Sequence, residues 1–456
     1  MRNRWAYALV VATALCASCV ALDPSVAPAE QTQPIVTKQR ALTEDDADRL
    51  LQKALDEYKN DEAVHSLIDQ VRRHASAPFT AGNKVSVLVD GPQTFGSIEG
   101  ALRSARHHIH VETFIFGAEG IGREFADLLA QKRAEGVEVR IIYDSVGSMD
   151  TPREFFDQLR QKNLEVREFR PMNPVETPLI WKIQNRDHRK IIVIDGNVGF
   201  AGGINIDNTY SSASSSKPGP KQGLEDGWRD THMRIEGPAV AQLQRLFIET
   251  WNETGERTAF TPEKKYFPAL AEKGDALVTI VANDSESDDR SLYGTYLAAF
   301  KKASSRLWIT HAYFAPNEEI LEAMTDAARR GVDVRLIVPG FTDSRIVLQA
   351  TRSTYTGLLD KGVKIYQLDD AFLHAKSVVI DGAVSIVGSA NLDMRSFVHN
   401  DEVNAIVVSR DFGQRMEEVF MKDQKAAHQI TLEEWNDRSL LQRLKEFGAR
   451  LMGYWL

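Results

Sequence analysis

Residues 188–205 read HRKIIVIDGNVGFAGGIN, and residues 374–391 read HAKSVVIDGAVSIVGSAN. His188, Lys190, Asp195, Gly202, Gly203 and Asn205 fall at the same offsets as His374, Lys376, Asp381, Gly388, Ser389 and Asn391. Packing alone does not require two such copies in one chain. Each copy opens with His-x-Lys, runs into an apolar strand and turns at Asp-Gly. A strand puts residues i and i+2 on one face, so His188 and Lys190 project together and Arg189 points the other way. Asp195 falls off that face, and with Gly196 it makes a hairpin turn into the next strand. Gly202 and Gly203 permit close backbone approach to a ligand, and Asn205 can donate an amide hydrogen bond.

Outward from these stretches the two halves repeat one order of strands and helices. HHIHVETFIF (107–116) is answered by RLWITHAYFAP (306–316). FADLLAQKRAEGVEVRIIYDS is answered by ILEAMTDAARRGVDVRLIVPG, and FFDQLRQKNLEVREF by YTGLLDKGVKIYQL. Both halves then reach the His-x-Lys hairpin and close with a strand and a helix. The pattern is an internal duplication of an α/β sandwich unit. Ahead of it, KVSVLVDG is expected as a strand and turn, and IEGALRSAR as a short helix. Residues 43–74 read as an amphipathic helix that packs on the first unit.

The expected organisation is a targeting segment (1–29), a linker and N-terminal helix (30–79), a first domain (80–255), a second domain (256–438) and a C-terminal helix (439–456). Arg2 and Arg4 precede an uncharged apolar run from Trp5 to Leu22, the pattern of an export signal. Leu15-Cys16-Ala17-Ser18-Cys19 resembles a lipoprotein site with Cys19 lipidated. Ala27-Pro28-Ala29 is an alternative cleavage site, and an uncleaved anchor is the third reading. All three place the body on the periplasmic side of a bacterial membrane. Cys16 and Cys19 are the two cysteines, so the body has no disulfide or Cys-based metal site. The net charge of −9 argues against nucleic acid as a partner. The stretch SSASSSKPGPKQGLEDG (211–227) is expected as a loop beside the site or a surface insertion.

Displacement at a phosphodiester needs a nucleophile, an acid for the leaving oxygen, and cations for the non-bridging oxygens. If the halves face each other, His188 and His374 flank one phosphate. One attacks to give a phosphohistidine, and the other exchanges protons with the leaving and incoming oxygens. Lys190 and Lys376 neutralise the oxygens, and Asn205 and Asn391 donate hydrogen bonds. No metal or other cofactor is needed. Each imidazole needs its second nitrogen fixed, and Asp230 and Glu402, at corresponding places after the two motifs, are the candidate carboxylates. Asp195 and Asp381 complete the candidate catalytic set, although their parity equally suits a turn role. His107, His108 and His110 lack a matching carboxylate or Cys set and read as packing or groove residues.

These residues resemble the phospholipase D superfamily, whose double H-x-K-x4-D signature matches His188/Lys190/Asp195 and His374/Lys376/Asp381. GIGREFADLLAQKRAEGVEVRIIYDSVGS, NRDHRKIIVIDG, WRDTHMRIEGPAV and FLHAKSVVIDG are similar to the bacterial cardiolipin synthase branch. The resemblance covers roughly residues 80–456. It implies two duplicated α/β/α sandwich domains facing each other across one active site. It also implies a two-step phosphatidyl transfer joining two phosphatidylglycerols into cardiolipin plus glycerol. The alternative is hydrolysis of phospholipids to phosphatidic acid at the same site. A nuclease and a non-enzymatic membrane-binding protein are the remaining readings. The expected partners are membrane phospholipids and the membrane surface, without an obligate protein partner. The branch typically carries two N-terminal membrane helices, where this chain shows one apolar segment.

The C-terminal stretch SLLQRLKEFGARLMGYWL lines Leu440, Leu441, Leu444, Phe447, Leu451 and Trp455 along one helical face, with Arg443, Lys445 and Arg450 beside it. Such a helix either lies at a bilayer surface or buries its apolar face in its own protein.

Overall fold

The computed structural model describes residues 56–58, 61–172, 184–214, 227–255, 260, 264–268, 271–287 and 289–450. The export signal, the linker, the start of the helix expected from Thr43, and most of the Ser-rich stretch after Ser214 lie outside the described residues.

The first half contains α1 (Glu62–His74), β1 (Thr80–Val89), α2 (Asp90–Ser104), β2 (His108–Thr113), α3 (Ile121–Ala134), β3 (Glu138–Asp144), α4 (Arg153–Gln161) and β4 (Glu165–Phe169). It continues with β5 (Arg186–Asp187), β6 (Lys190–Ile194), β7 (Val198–Gly202), β8 (Thr231–Glu236) and α5 (Val240–Glu253). The second half begins with β9 (Ala276–Asn283), α6 (Ser291–Lys302), β10 (Arg306–His311), β11 (Phe314–Ala315), α7 (Glu318–Arg329), β12 (Asp333–Pro339), α8 (Arg345–Ser353), α9 (Tyr355–Asp360) and β13 (Lys364–Leu368). It ends with β14 (Lys376–Ile380), β15 (Val384–Gly388), β16 (Leu392–Asp393), β17 (Asn400–Val408), α10 (Arg410–Ala426), β18 (His428–Ile430), α11 (Leu432–Asn436) and α12 (Leu440–Arg450).

The duplication is visible in the strand order. One half runs β1-β8-β7-β6-β2-β3-β4, and the other runs β9-β17-β15-β14-β10-β12-β13 with β18 added outside. β1 pairs with β9, so the two sheets are continuous. Strand parity explains how both faces are covered. Ile192 and Ile194 of β6 point to the first half's helices, among Phe125 and Phe156. Ile191 and Val193 point inward, where they meet Val379, Val387 and Val403 of the other half. The inner faces of the two sheets therefore share one apolar layer, and this brings the two His-x-Lys strands together.

Two expectations change. α1 packs on the second half, not the first: Val64, Leu67, Ile68 and Val71 join Leu292, Tyr296 and Ala299 of that core. The chain then crosses into β1, whose Thr80 pairs with Val278 of β9. The short helix expected at 98–106 starts earlier, at Asp90, because the Asp90-Gly91 turn is itself the first turn of α2. The Asp-Gly hairpins form as expected. Asp195 and Gly196 have φ of 52° and 63°, and Asp381 and Gly382 have 54° and 65°, the left-handed pair that a type I′ turn requires.

Candidate active site

Main-chain pairing across the halves positions both imidazoles. β5 runs parallel to the start of β17, pairing Asp187 with Asp401, and the His188 N–H donates to the Asp401 carbonyl at 2.9 Å. Glu402 is the next residue of β17 and so lies beside His188. The second half repeats this: Arg229 bridges Leu373, and the His374 N–H donates to the Arg229 carbonyl at 2.8 Å. Asp230 therefore lies beside His374. The contacts follow. Nδ1 of His188 is 3.0 Å from both Glu402 oxygens, and Nδ1 of His374 is 2.7 Å from Asp230 Oδ2. Each half supplies the carboxylate that holds the other half's histidine.

The shells around the two carboxylates correspond but differ in residue type. Glu402 accepts from Ser389 Oγ at 2.6 Å and Ser396 Oγ at 2.8 Å. On the other side Gly203 stands at the Ser389 offset, and a Cβ there would lie 2.2 Å from Asp230 Oδ1. A Cβ on Gly202 would meet His232 Cα at 2.5 Å. The expected close approach at these glycines is thus to neighbouring protein groups rather than to a ligand. Tyr210 stands at the Ser396 offset, five residues after the motif Asn, and its hydroxyl lies 3.0 Å from His374 Nδ1. Asp90 braces Asp230 from behind by accepting its backbone N–H at 3.1 Å. Sequence reasoning missed Tyr210, Ser396 and Asp90. The first two were findable, because aligning the copies past Asn205 and Asn391 puts a hydroxyl at the same offset in both.

Buried charge sets the electrostatics. Burial lowers the His188 imidazole to about 4, against the opposing pull of Glu402. His374 is lowered by burial and by Lys376, with Asp230 opposing. Burial lowers Lys190 to about 7 and Lys376 to about 8, the nearby carboxylates opposing in both. Burial pushes Glu402 and Asp230 up, but the facing histidines and lysines outweigh it and hold both carboxylates below their ordinary range. With Nδ1 occupied, each imidazole has Nε2 left for chemistry. Lys190 Nζ donates to the His188 carbonyl at 2.5 Å, and Lys376 Nζ donates to the His374 carbonyl, so each ammonium is tied to its own motif. An entering phosphate supplies the negative charge that favours protonated lysines.

The remaining candidates divide. Asn205 and Asn391 are buried in the motif loops. Asn205 Oδ1 accepts the Ile115 N–H at 3.2 Å, and Asn391 Oδ1 has no hydrogen-bond partner among the described residues. Asp195 and Asp381 are corrected: they are not placed for catalysis. They sit past the far ends of β6 and β14, with the histidines at the near ends. Asp195 accepts the N–H groups of Arg106, His107 and His108 at 2.7–2.9 Å. Asp381 accepts those of Ser304, Ser305 and Arg306 at 2.7–3.0 Å. Each carboxylate thus fastens a hairpin turn to the start of the neighbouring strand. Arg189 points away from the site as its parity requires and donates to Thr250 Oγ1 at 2.9 Å. His108 and His110 are packing residues, each hydrogen-bonded to Gln244, and His110 stacks on Phe247. Two aromatic rings line the site unforeseen: Phe114 lies edge-on to His188 at 4.9 Å, and Trp228 lies 5.3 Å from His374.

The family described as cardiolipin synthase, PLD-like domain, matches residues 98–215 and 296–424, one segment in each half. A cardiolipin synthase of Geobacillus kaustophilus is 38% identical over 377 residues, covering 82% of this chain and 73% of that one. One from Halalkalibacterium halodurans is 39% identical over 386 residues, covering 83% and 74%. The crystal structure of phosphatidylserine synthase from Haemophilus influenzae superposes with a TM-score of 0.62 at 14% identity, covering 87% of this chain and all of that one. That likeness speaks to the fold. With a duplicated sheet, paired His-x-Lys strands and relatives of this identity and coverage, the chain belongs to the cardiolipin synthase family of phospholipase D-like proteins.

Proposed function

We propose that this protein is a phosphatidyltransferase that joins two phosphatidylglycerols into cardiolipin and glycerol. The observation that carries the reading is the reciprocal pair His188–Glu402 and His374–Asp230, which makes one site from two halves. Nε2 of one histidine attacks the phosphorus of the first phosphatidylglycerol. An N–P bond forms, the bond to the glycerol headgroup breaks, and the other histidine protonates the leaving oxygen. That histidine then takes the proton of a hydroxyl on the second phosphatidylglycerol. The new oxygen bonds to phosphorus as the N–P bond breaks. Lys190, Lys376 and the amides of Asn205 and Asn391 act on the non-bridging oxygens.

Work on the outer side of a membrane is part of the proposal, supported by Arg2, Arg4 and the uncharged run that follows them. No helix among the described residues is long and apolar enough to cross a membrane. Incubation with phosphatidylglycerol, resolving cardiolipin from phosphatidic acid, tests the reading. Cardiolipin with an equal amount of glycerol is expected. Phosphatidic acid alone would make water the acceptor and the protein a hydrolase.

A further inference from the structure

The last described helix is inside out by the usual rule. An amphipathic surface helix normally buries its apolar face in its own protein. In α12 the face repeating at i, i+4 and i+7 through Leu440, Leu444 and Phe447 is 77%, 68% and 64% exposed, and Leu441 beside it is 62% exposed. The opposite face holds the helix to the body. Glu446 is buried against Arg438 at 3.0 Å, Gln442 donates to Gln349 of α8 at 2.6 Å, and Ala449 packs with Ala315 and Ala350. The helix therefore cannot roll its apolar side inward without breaking these contacts. Arg443, Lys445 and Arg450 are exposed along its flanks.

We propose that α12 is an interfacial docking helix that rests on an anionic phospholipid bilayer, with Leu440, Leu441, Leu444 and Phe447 among the acyl chains. Charge complementarity selects this occupant. The chain as a whole carries −9, yet Arg443 and Lys445 border the apolar stripe, with Arg450 held by Glu318 at 3.2 Å, and cations beside an apolar stripe are the arrangement that binds an anionic lipid surface. A cavity of about 1010 Å³ opens beside the helix, with Arg450 on its wall. Leu297, Leu321, Met394 and Phe397 line its apolar part, while its polar wall carries both signs, with Lys301 paired to Glu319 at 3.3 Å and Lys302 and Glu322 beside them. The inference rests on the phospholipid reading for the substrate class alone, not on the acceptor.

The test uses the full chain. Hydrogen exchange of residues 440–450 is followed with phosphatidylglycerol vesicles, with zwitterionic vesicles and without lipid. Slowed exchange with the anionic vesicles is expected, and its loss in the variant carrying Leu440→Gln, Leu441→Gln, Leu444→Gln and Phe447→Gln. Gln keeps helix propensity, and none of the four touches the site. The variant's KM for vesicle lipid is expected to rise about tenfold, with unchanged turnover of a short-chain monomeric phosphatidylglycerol. Exchange unaffected by vesicles, or an unchanged vesicle KM, would overturn the proposal. So would protection present without lipid, which would put residues 1–55 or a second copy on the face. If the wild type turned over neither substrate, the function reading would fail while the exchange measurement still decided the docking.

Discussion

A carboxylate of the opposite half holds Nδ1 of His188 and of His374 and leaves Nε2 of each for chemistry. Glu402→Gln and Asp230→Asn keep the shape of those contacts and remove the charge that stabilises an imidazolium. The related change in a Ser-His-Asp triad costs about ten-thousand-fold in kcat, and a loss of at least about a thousandfold is expected here, with folding intact. Asp195→Asn and Asp381→Asn should reverse the pattern. Each loses charge-assisted bonds to a row of backbone N–H groups, on the order of 2 kcal/mol of stability, with turnover little changed. Turnover and melting temperature of all four variants check this. An inactive but fully stable Asp381→Asn enzyme would return the motif aspartates to catalysis. The lysines give a pH signature. Burial puts Lys190 at about 7 and Lys376 at about 8 in the free protein, and on the proposed mechanism the charged form binds phosphate. kcat/KM is therefore expected to fall as pH rises through that window. kcat should hold to higher pH, because bound phosphate favours the protonated amines. A kcat/KM profile flat across the window would remove the lysines from the site. At this scale the sequence displayed the candidate groups directly, since two matched copies single them out. It did not display that Glu402 serves His188 and Asp230 serves His374, because that crossing follows from pairing between residues more than a hundred positions apart.

Among the elements, the strands were the most legible. Both Asp-Gly hairpins and the βα alternation follow from apolar runs punctuated by Gly and turn residues. The helices at the two ends were less so. Periodicity says that a helix has an apolar face, not which neighbour takes it. α1 gave Val64, Leu67, Ile68 and Val71 to the second half although it precedes the first. α12 gave its apolar face to no part of the described protein. The α1 assignment has a direct check. Leu67 is fully buried, and Leu67→Ala should cost about 2–5 kcal/mol, lowering the denaturant midpoint of unfolding. An unchanged midpoint would mean that α1 is not part of that core.

The whole molecule is a duplicated unit closed on itself. β1 and β9 join the two sheets, the inner faces share one apolar layer, and each histidine meets the opposite half's carboxylate where β5 and the segment before His374 cross to that half. The duplication was legible in the sequence, and the facing arrangement was implied by the family resemblance. The continuity of the sheet was not, because β1 reads alike whether its N-terminal end pairs with β9 or stays unpaired. On the proposed mechanism each histidine is indispensable, since transfer needs an attacking and a proton-moving imidazole at the same phosphate. The direct measurement is turnover of phosphatidylglycerol by His188→Ala and by His374→Ala, separately, with folding confirmed for each. Loss of at least about a thousandfold in both is expected, because groups acting as a unit are non-additive. A variant that kept about half the wild-type turnover would mean that each half works alone, and would contradict the shared site.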